Sequence, residues 1–365
     1  MRPTWCEVDL GAVRHNLAVL RGQAGGAEIC AVVKADGYGH GAVPIAATAV
    51  TAGASQLAVA LVEEGVELRH AGIDGPILVL SEPRGSLVEA LRNGLTPTLY
   101  TDAGIAEAGA AAAADGVVWN VEVLVDTGMR RVGAEPADAP GLVAEVQGHP
   151  NLALSGVWTH CAVADEPGNA FTAEQTARFR SVLRSAGTDG VRRHFGNSAV
   201  AIAHPAEGAD MVRCGIALYG IDPSPELAGM ANLHPALSLH SEVGFVKRIA
   251  AGEGVGYGHR WWAPTSRLIA TIPIGYADGV RRDLGLRGGQ VLIGGKRRRI
   301  VGVVTMDQLM VDLDQDDGVA VGDDVVLIGS QGTEMISAAE IAATLETIPY
   351  EVICAISLRV PRRYV

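Results

Sequence analysis

Aromatic side chains are scarce in this chain of 365 residues, at 4% of positions against 48% hydrophobic overall. Much of the apolar share is Ala and Val, which suits a helix-clad α/β body better than an aromatic-rich binding surface. Paired cysteines are lacking too. Cys6, Cys30, Cys161, Cys214 and Cys354 are scattered, odd in number and without a C-x-x-C spacing. That argues against a metal site or a disulfide framework and fits a reducing cytoplasm. Positive charge is in deficit, with 29 Lys and Arg against 41 Asp and Glu and a net charge of −12. A nucleic-acid partner calls for the opposite balance. The densest basic run, Lys296 to Arg299, follows Gly294-Gly295 and reads as a solvated hairpin turn, an anion contact being the alternative. The segment MRPTWCEVDLGAVRHNL has no apolar core, so no secretory signal is expected. Gly41 to Val62 is uncharged, but it is rich in Ala, Thr and Gly and is broken by Gly53-Ala54-Ser55. It reads as helix, turn and strand of a soluble protein, with no membrane span.

What the chain does have is a regular series of short aliphatic runs. They fall at 29–33, 57–61, 77–80, 97–100, 121–125, 154–159, 193–195 and 211–213, with helical Ala/Leu/Glu/Arg segments between most of them. Continuous apolar strands alternating with helices indicate a parallel sheet, and eight such units suggest a closed (β/α)8 TIM barrel over 11–234. An open doubly wound sheet is the alternative, although no G-x-G-x-x-G follows the first strand. After about residue 235 the texture changes to alternating strands at 237–248, 266–274, 290–293, 299–304, 310–313 and 325–328, separated by Gly-rich turns. A mostly β C-terminal domain over 235–365 is predicted, with an N-terminal strand in 1–10 packing on it.

One motif concentrates the chemistry. In AVVKADGYGHG, residues 31–41, a lysine ends a buried strand and runs into a Gly-rich loop. A lysine there is costly unless it is paired, desolvated for chemistry or covalently bound. The glycines let the backbone fold closely round a ligand. A strand-to-helix turn with a snorkelling lysine fits the spacing equally well.

This motif resembles the lysine motif of bacterial alanine racemases, fold-type III pyridoxal-phosphate enzymes. The resemblance continues in family order through RPTWCEVDLGAVRHN (2–16), VDTGMRRVG (125–133), WTHCAVAD (158–165), FGNSA (195–199), MVRCGIALYG (211–220), GVGYGH (254–259), TIPIGYADG (271–279) and VTMDQLMVD (304–312). It implies pyridoxal 5'-phosphate as cofactor, held covalently by Lys34. Tyr38, Ser198 and the amides of Gly215 and Ile216 would bind its phosphate, and Asn197 would also bind the cofactor. Arg213 would face the pyridine nitrogen, backed by His160. Lys34 and Tyr257 would be the two bases on opposite faces of Cα, with Tyr257 coming from the partner of a head-to-tail homodimer. Arg131, Met306 and Asp307 would meet the substrate, and Tyr276 and Asp278 would line the entry corridor. The reaction implied interconverts L- and D-alanine, supplying D-alanine for peptidoglycan. On residue type alone other readings stay open: a helix cap for Ser198, a surface ion pair for Arg213, a core histidine for His160, a turn aromatic for Tyr257 and a turn carboxylate for Asp278.

The chain departs from the family at two places. Many members have a carbamylated lysine, two residues before the DTGM aspartate, that props the arginine here numbered Arg131. Leu124 stands there instead. Glu122 lies on the same strand face but a strand step of about 7 Å away, too far for a direct replacement. Leu358 stands where some members carry a tyrosine. Both departures bear on substrate choice, so a serine or broad-specificity racemase is the alternative. A non-catalytic pyridoxal-phosphate homeostasis protein is a more remote one, because such proteins lack the β domain.

Overall fold

The computed structural model describes residues 2–204, 208–316 and 318–365. The chain divides into two compact units. One comprises Ala12–Gly37 and Gly41–His234; the other comprises Met1–Gly11, Tyr38–His40 and Pro235–Val365.

The first unit is a closed parallel barrel of eight strands. These are Glu28–Val32, Gln56–Val59, Ile77–Val79, Thr96–Leu99, Trp119–Leu124, Leu152–Trp158, Arg192–Gly196 and Met211–Cys214. Each aliphatic run read from the sequence coincides with one of them. Most of the strands are largely apolar because each is covered by helices outside and packed inside, Arg192–Gly196 (RRHFG) being the polar exception. Barrel interiors are usually filled with branched aliphatics. This one also encloses Gln56, Thr98, Glu122, His194 and Arg213, all buried.

The second unit is a mostly antiparallel sheet around an aliphatic core that includes Leu239, Ile272, Val291, Val311 and Leu327. Thr4–Val8 pairs with Leu237–Glu242 on one side and with Arg362–Tyr364 on the other. Two sequence expectations need correction here. The run 237–248 is two strands, Leu237–Glu242 and Phe245–Ile249, which pair with different neighbours; the break falls at Val243-Gly244. The basic run is not a solvated turn either. The turn is Gly294-Gly295, and Lys296–Val301 is a strand. Arg297 pairs there with Glu334 at 2.7 Å and Glu340 at 2.5 Å, and Arg298 pairs with Asp316. Strong acceptors across the sheet account for arginines at these positions. No helix among the described residues is long and apolar enough to cross a membrane.

Within the sheet unit two loops are tied together by ions. Asp278, with no solvent exposure, accepts from Arg2 at 2.9 and 2.6 Å and from the Gly275 amide at 2.9 Å. Arg359 lies 3.3 Å from the same carboxylate and also donates to Asp307 at 2.6 Å. The amides of Tyr276 and Ala277 donate to the carbonyls of Thr305 and Met306 at 2.9 and 3.0 Å. A Cβ on Gly275 would sit 2.3 and 2.4 Å from those two carbonyl oxygens, so only glycine permits the approach. Removing the charge from a buried, paired carboxylate leaves its partner cations uncompensated. We therefore expect Asp278→Asn to cost about 3 kcal/mol in chemical denaturation. Hydrogen exchange should quicken at residues 275–279 and 305–307; unchanged exchange there would show that the ions do not hold the loops.

Candidate active site

Lys34 stands just past the first barrel strand, at the start of a left-handed turn. Ala35, Asp36, Gly37 and Tyr38 all have positive φ, between 52° and 58°. Left-handed backbone is costly for residues other than glycine, and it persists only where neighbours over-determine it. Here the Gly37 amide donates to the Val33 carbonyl at 2.9 Å, and the Ala42 amide to the Asp36 carboxylate at 2.8 Å. Glu64 accepts from Ala35 N at 2.6 Å while its other oxygen accepts from Ala60 N at 2.7 Å. Glu64 was not singled out from the sequence. Its position in the helix Val62–His70 gave no local sign that it anchors the lysine turn.

Arg213, on the last barrel strand, is 3% exposed. Its guanidinium donates to the carbonyls of Thr159 at 2.7 Å and His194 at 3.2 Å. It also lies 2.8 Å from His194 Nδ1 and 3.2 Å from His160 Nδ1, and 4.4 Å over the Trp158 ring. A guanidinium only donates, so both imidazole nitrogens facing it must be acceptors. Burial, then the nearby Arg213, Arg131 and Lys34, push His160 down to about 3, which keeps it neutral. Burial pulls Arg213 down to about 10, still charged at neutral pH.

At the start of the helix Ser198–Ala203, Asn197 is the cap: its side-chain oxygen accepts from the amides of Ala199 and Val200. Ser198 is buried and accepts from Gly215 N at 3.0 Å and Ala217 N at 3.4 Å, leaving its own hydroxyl proton to donate. The Gly215 amide is thus engaged with Ser198. That of Ile216, first in the short turn Ile216–Tyr219, has no intrahelical acceptor. A donor set of Ser198 Oγ–H and the Ile216 amide suits a phosphate, and a fixed guanidinium suits a pyridine nitrogen. The residues of the barrel unit therefore fit pyridoxal phosphate. Among the described residues no cluster of His, Cys, Asp or Glu is built for a metal ion.

Arg131 is exposed and forms no side-chain hydrogen bond or ion pair among the described residues. Leu124 is 3% exposed, and its carbonyl accepts from Ala134 N at 2.9 Å. A Cβ on Gly133 would approach Leu124 Cγ to 3.1 Å, so the loop closes tightly over the leucine.

The remaining expected residues lie in the sheet unit. The Tyr38 ring is tilted at 48° against that of Tyr350, 6.1 Å away. Tyr257 is 73% exposed on a turn whose Gly256 abuts Met310 and Val303. Tyr276, Asp278, Met306 and Asp307 share the ion-tied loops. Tyr276 and Met306 are 42% and 52% exposed, but Asp278 is wholly buried and acts there through Arg2 and Arg359.

Both halves of the chain match family models: residues 8–223 match the alanine racemase N-terminal domain and 236–364 the C-terminal domain. An alanine racemase of Symbiobacterium thermophilum is 48% identical over 372 residues, covering 100% of this chain and 97% of that protein. The crystal structure of alanine racemase from D-cycloserine-producing Streptomyces lavendulae has a TM-score of 0.94 at 39% identity, covering 100% of this chain and 97% of that one. That of Bacillus anthracis alanine racemase with bound L-Ala-P has a TM-score of 0.90 at 40% identity, covering 100% and 95%. With both domain models matched in order and relatives aligned along its whole length, the chain belongs to the alanine racemase family.

Proposed function

We propose that this chain racemises alanine with Lys34 and Tyr257 as the two bases, and that Tyr257 is contributed by the partner subunit of a head-to-tail homodimer. The observation that carries the reading is the setting of Lys34. A lysine on a left-handed turn at the mouth of a barrel, in a unit whose Arg213 is buried and held by four acceptors, supports a reaction site there. Pyridoxal phosphate, when bound, draws electron density from the substrate Cα and makes its proton removable.

Lys34 Nζ holds the cofactor and moves a proton at one face of Cα; Tyr257 Oη moves one at the other. Arg213 would donate to the pyridine nitrogen of the bound cofactor without surrendering a proton, leaving that nitrogen unprotonated. Ser198, the Ile216 amide and Tyr38 hold the phosphate, with Asn197 fixing the helix start. Arg131 and the Met306 amide take the substrate carboxylate; Asp307 and Tyr276 shape the approach. The exposure of Tyr257 and Met306, 73% and 52% in a single chain, supports a partner that covers them. Free thiols at Cys6, Cys30, Cys161 and Cys214 support a cytoplasmic setting. The bound L-Ala-P of the Bacillus anthracis relative supports alanine as substrate.

The protein incubated with L-alanine and pyridoxal phosphate should form D-alanine, faster than it converts L-serine. Borohydride reduction of the loaded protein followed by peptide mapping should leave the adduct on Lys34; an adduct on Lys247 or Lys296 would refute the assignment. Tyr257→Phe should lower kcat/KM for racemisation about a hundredfold. The loss must be equal in both directions, because the equilibrium constant is one. Solvent deuterium exchange at Cα should nonetheless persist for one enantiomer, the one whose proton faces Lys34. Persistence for both at the unaltered rate would remove Tyr257 from the mechanism. Mixing Lys34→Ala and Tyr257→Ala chains should restore activity by forming one intact site per heterodimer, whereas silence after demonstrated subunit exchange would mean that each site is built within one chain.

A further inference from the structure

Beyond the expected residues, the barrel interior holds a carboxylate that none of those assignments uses. Glu122, 1% exposed on the strand Trp119–Leu124, places Oε2 2.8 Å from His194 Nε2. Its other oxygen is 3.5 Å from Gln56 Nε2, and Gln56 accepts from Arg192 at 3.0 Å. Room for the carboxylate is made by Gly156, its register partner on the next strand. A Cβ there would lie 2.8 Å from the Glu122 carboxyl carbon. The far side of His194 faces Arg213, and its ring stacks on Trp158 at 5.7 Å.

The hydrogen-bond logic of this chain has one solution. Arg213 donates to His194 Nδ1, so Nδ1 carries no proton. Nε2 must then carry it and donate to Glu122. Burial pushes His194 below its usual value, keeping it neutral. Against the cost of burial, His194 and then Gln56 and Arg213 hold the Glu122 carboxyl below its usual value. A buried carboxylate is thereby joined to a buried guanidinium through one neutral imidazole. A buried cation without such compensation is strongly disfavoured.

We propose that Glu122 is a positioning residue for the reaction: its carboxylate fixes His194 as the Nε2–H tautomer and supplies the counter-charge that holds Arg213 in one orientation toward the cofactor. This rests on the reading that Arg213 meets the pyridine ring. Without the carboxylate, His194 is free to take the Nδ1–H form, which sets two donors against each other at Arg213 and displaces the guanidinium. Displacements of this size at a reacting site cost up to about a hundredfold in rate.

The first test needs no variant of Glu122. In apo protein labelled with 15N-histidine, the His194 resonances, assigned by their loss in His194→Gln, should report the Nε2–H tautomer at neutral pH. An Nδ1–H or doubly protonated ring would overturn the proposal. In Glu122→Gln, titration of the apo protein with pyridoxal phosphate should show affinity about tenfold weaker, and kcat for alanine about tenfold lower with KM within about twofold. Glu122→Asp, smaller but charged, should retain more affinity and kcat than the better-fitting Glu122→Gln. The reverse order would show a packing role and overturn the proposal, and the aspartate variant and the tautomer measurement decide the matter if the glutamine variant does not fold. Arg213→Lys separates the two levels. If it binds pyridoxal phosphate with unaltered affinity and spectrum, the reading of Arg213 fails. If it is impaired while Glu122→Gln matches the unmodified protein, only the role of Glu122 fails.

Discussion

The burial of Arg213 is the constraint around which the barrel interior is arranged. A guanidinium cannot escape its charge by losing a proton, so placing it at 3% exposure obliges the surrounding strands to supply acceptors. Two are backbone carbonyls, of Thr159 and His194, and two are imidazole nitrogens that must stay unprotonated. Trp158 closes one face of the group. Each requirement propagates outward: a neutral His194 with a fixed tautomer requires an acceptor behind it, and Glu122 in turn requires a glycine opposite. A layer that aliphatic side chains would normally fill is therefore polar.

The sequence is most informative where structure is local. Most barrel strands show as aliphatic runs because they are buried on both faces, and every run coincides with a strand of the closed barrel. Lys34 is conspicuous because a charge follows a buried run and glycines follow the charge. Its anchor Glu64 is not, because an acidic residue in the first turn of a helix is ordinary there, and nothing in its spacing shows that it reaches Ala35. Glu122 and His194 are 72 residues apart, so no window of sequence joins them. In the sheet unit the run 237–248 reads as one strand, yet it is two, broken at Val243-Gly244. A change of pairing partner leaves no trace in hydropathy. The arginines at 297 and 298 suggest solvent only until the acids across the sheet are known.

Asp278 shows how a residue matters to a site without lining it. Its carboxylate is inaccessible, but through Arg359 it is linked to Asp307, and through the Gly275 amide it shapes the turn that carries Tyr276. Arg2 completes the cluster from the other end of the chain. The loops bearing Tyr276 and Met306 thus derive their order from an ion cluster built on the buried Asp278, which leaves their side chains exposed.

Arg213 and Arg131, the two arginines of the barrel unit proposed to serve the site, are treated in opposite ways. Arg213 is buried, and four of its five N–H donors are already engaged with protein acceptors, so it is held in one orientation with one donor left. Arg131 is exposed and has no protein acceptor among the described residues, while its neighbour Arg130 is committed to Glu135 at 2.8 Å. Solvent hydrates that open charge, and Leu124 lies buried under the Gly133 loop. Glu122 does not serve Arg131, because His194 already holds it. A guanidinium whose donors face water exchanges them for a carboxylate at little penalty. In this barrel one arginine is held by protein acceptors and the other is left to solvent.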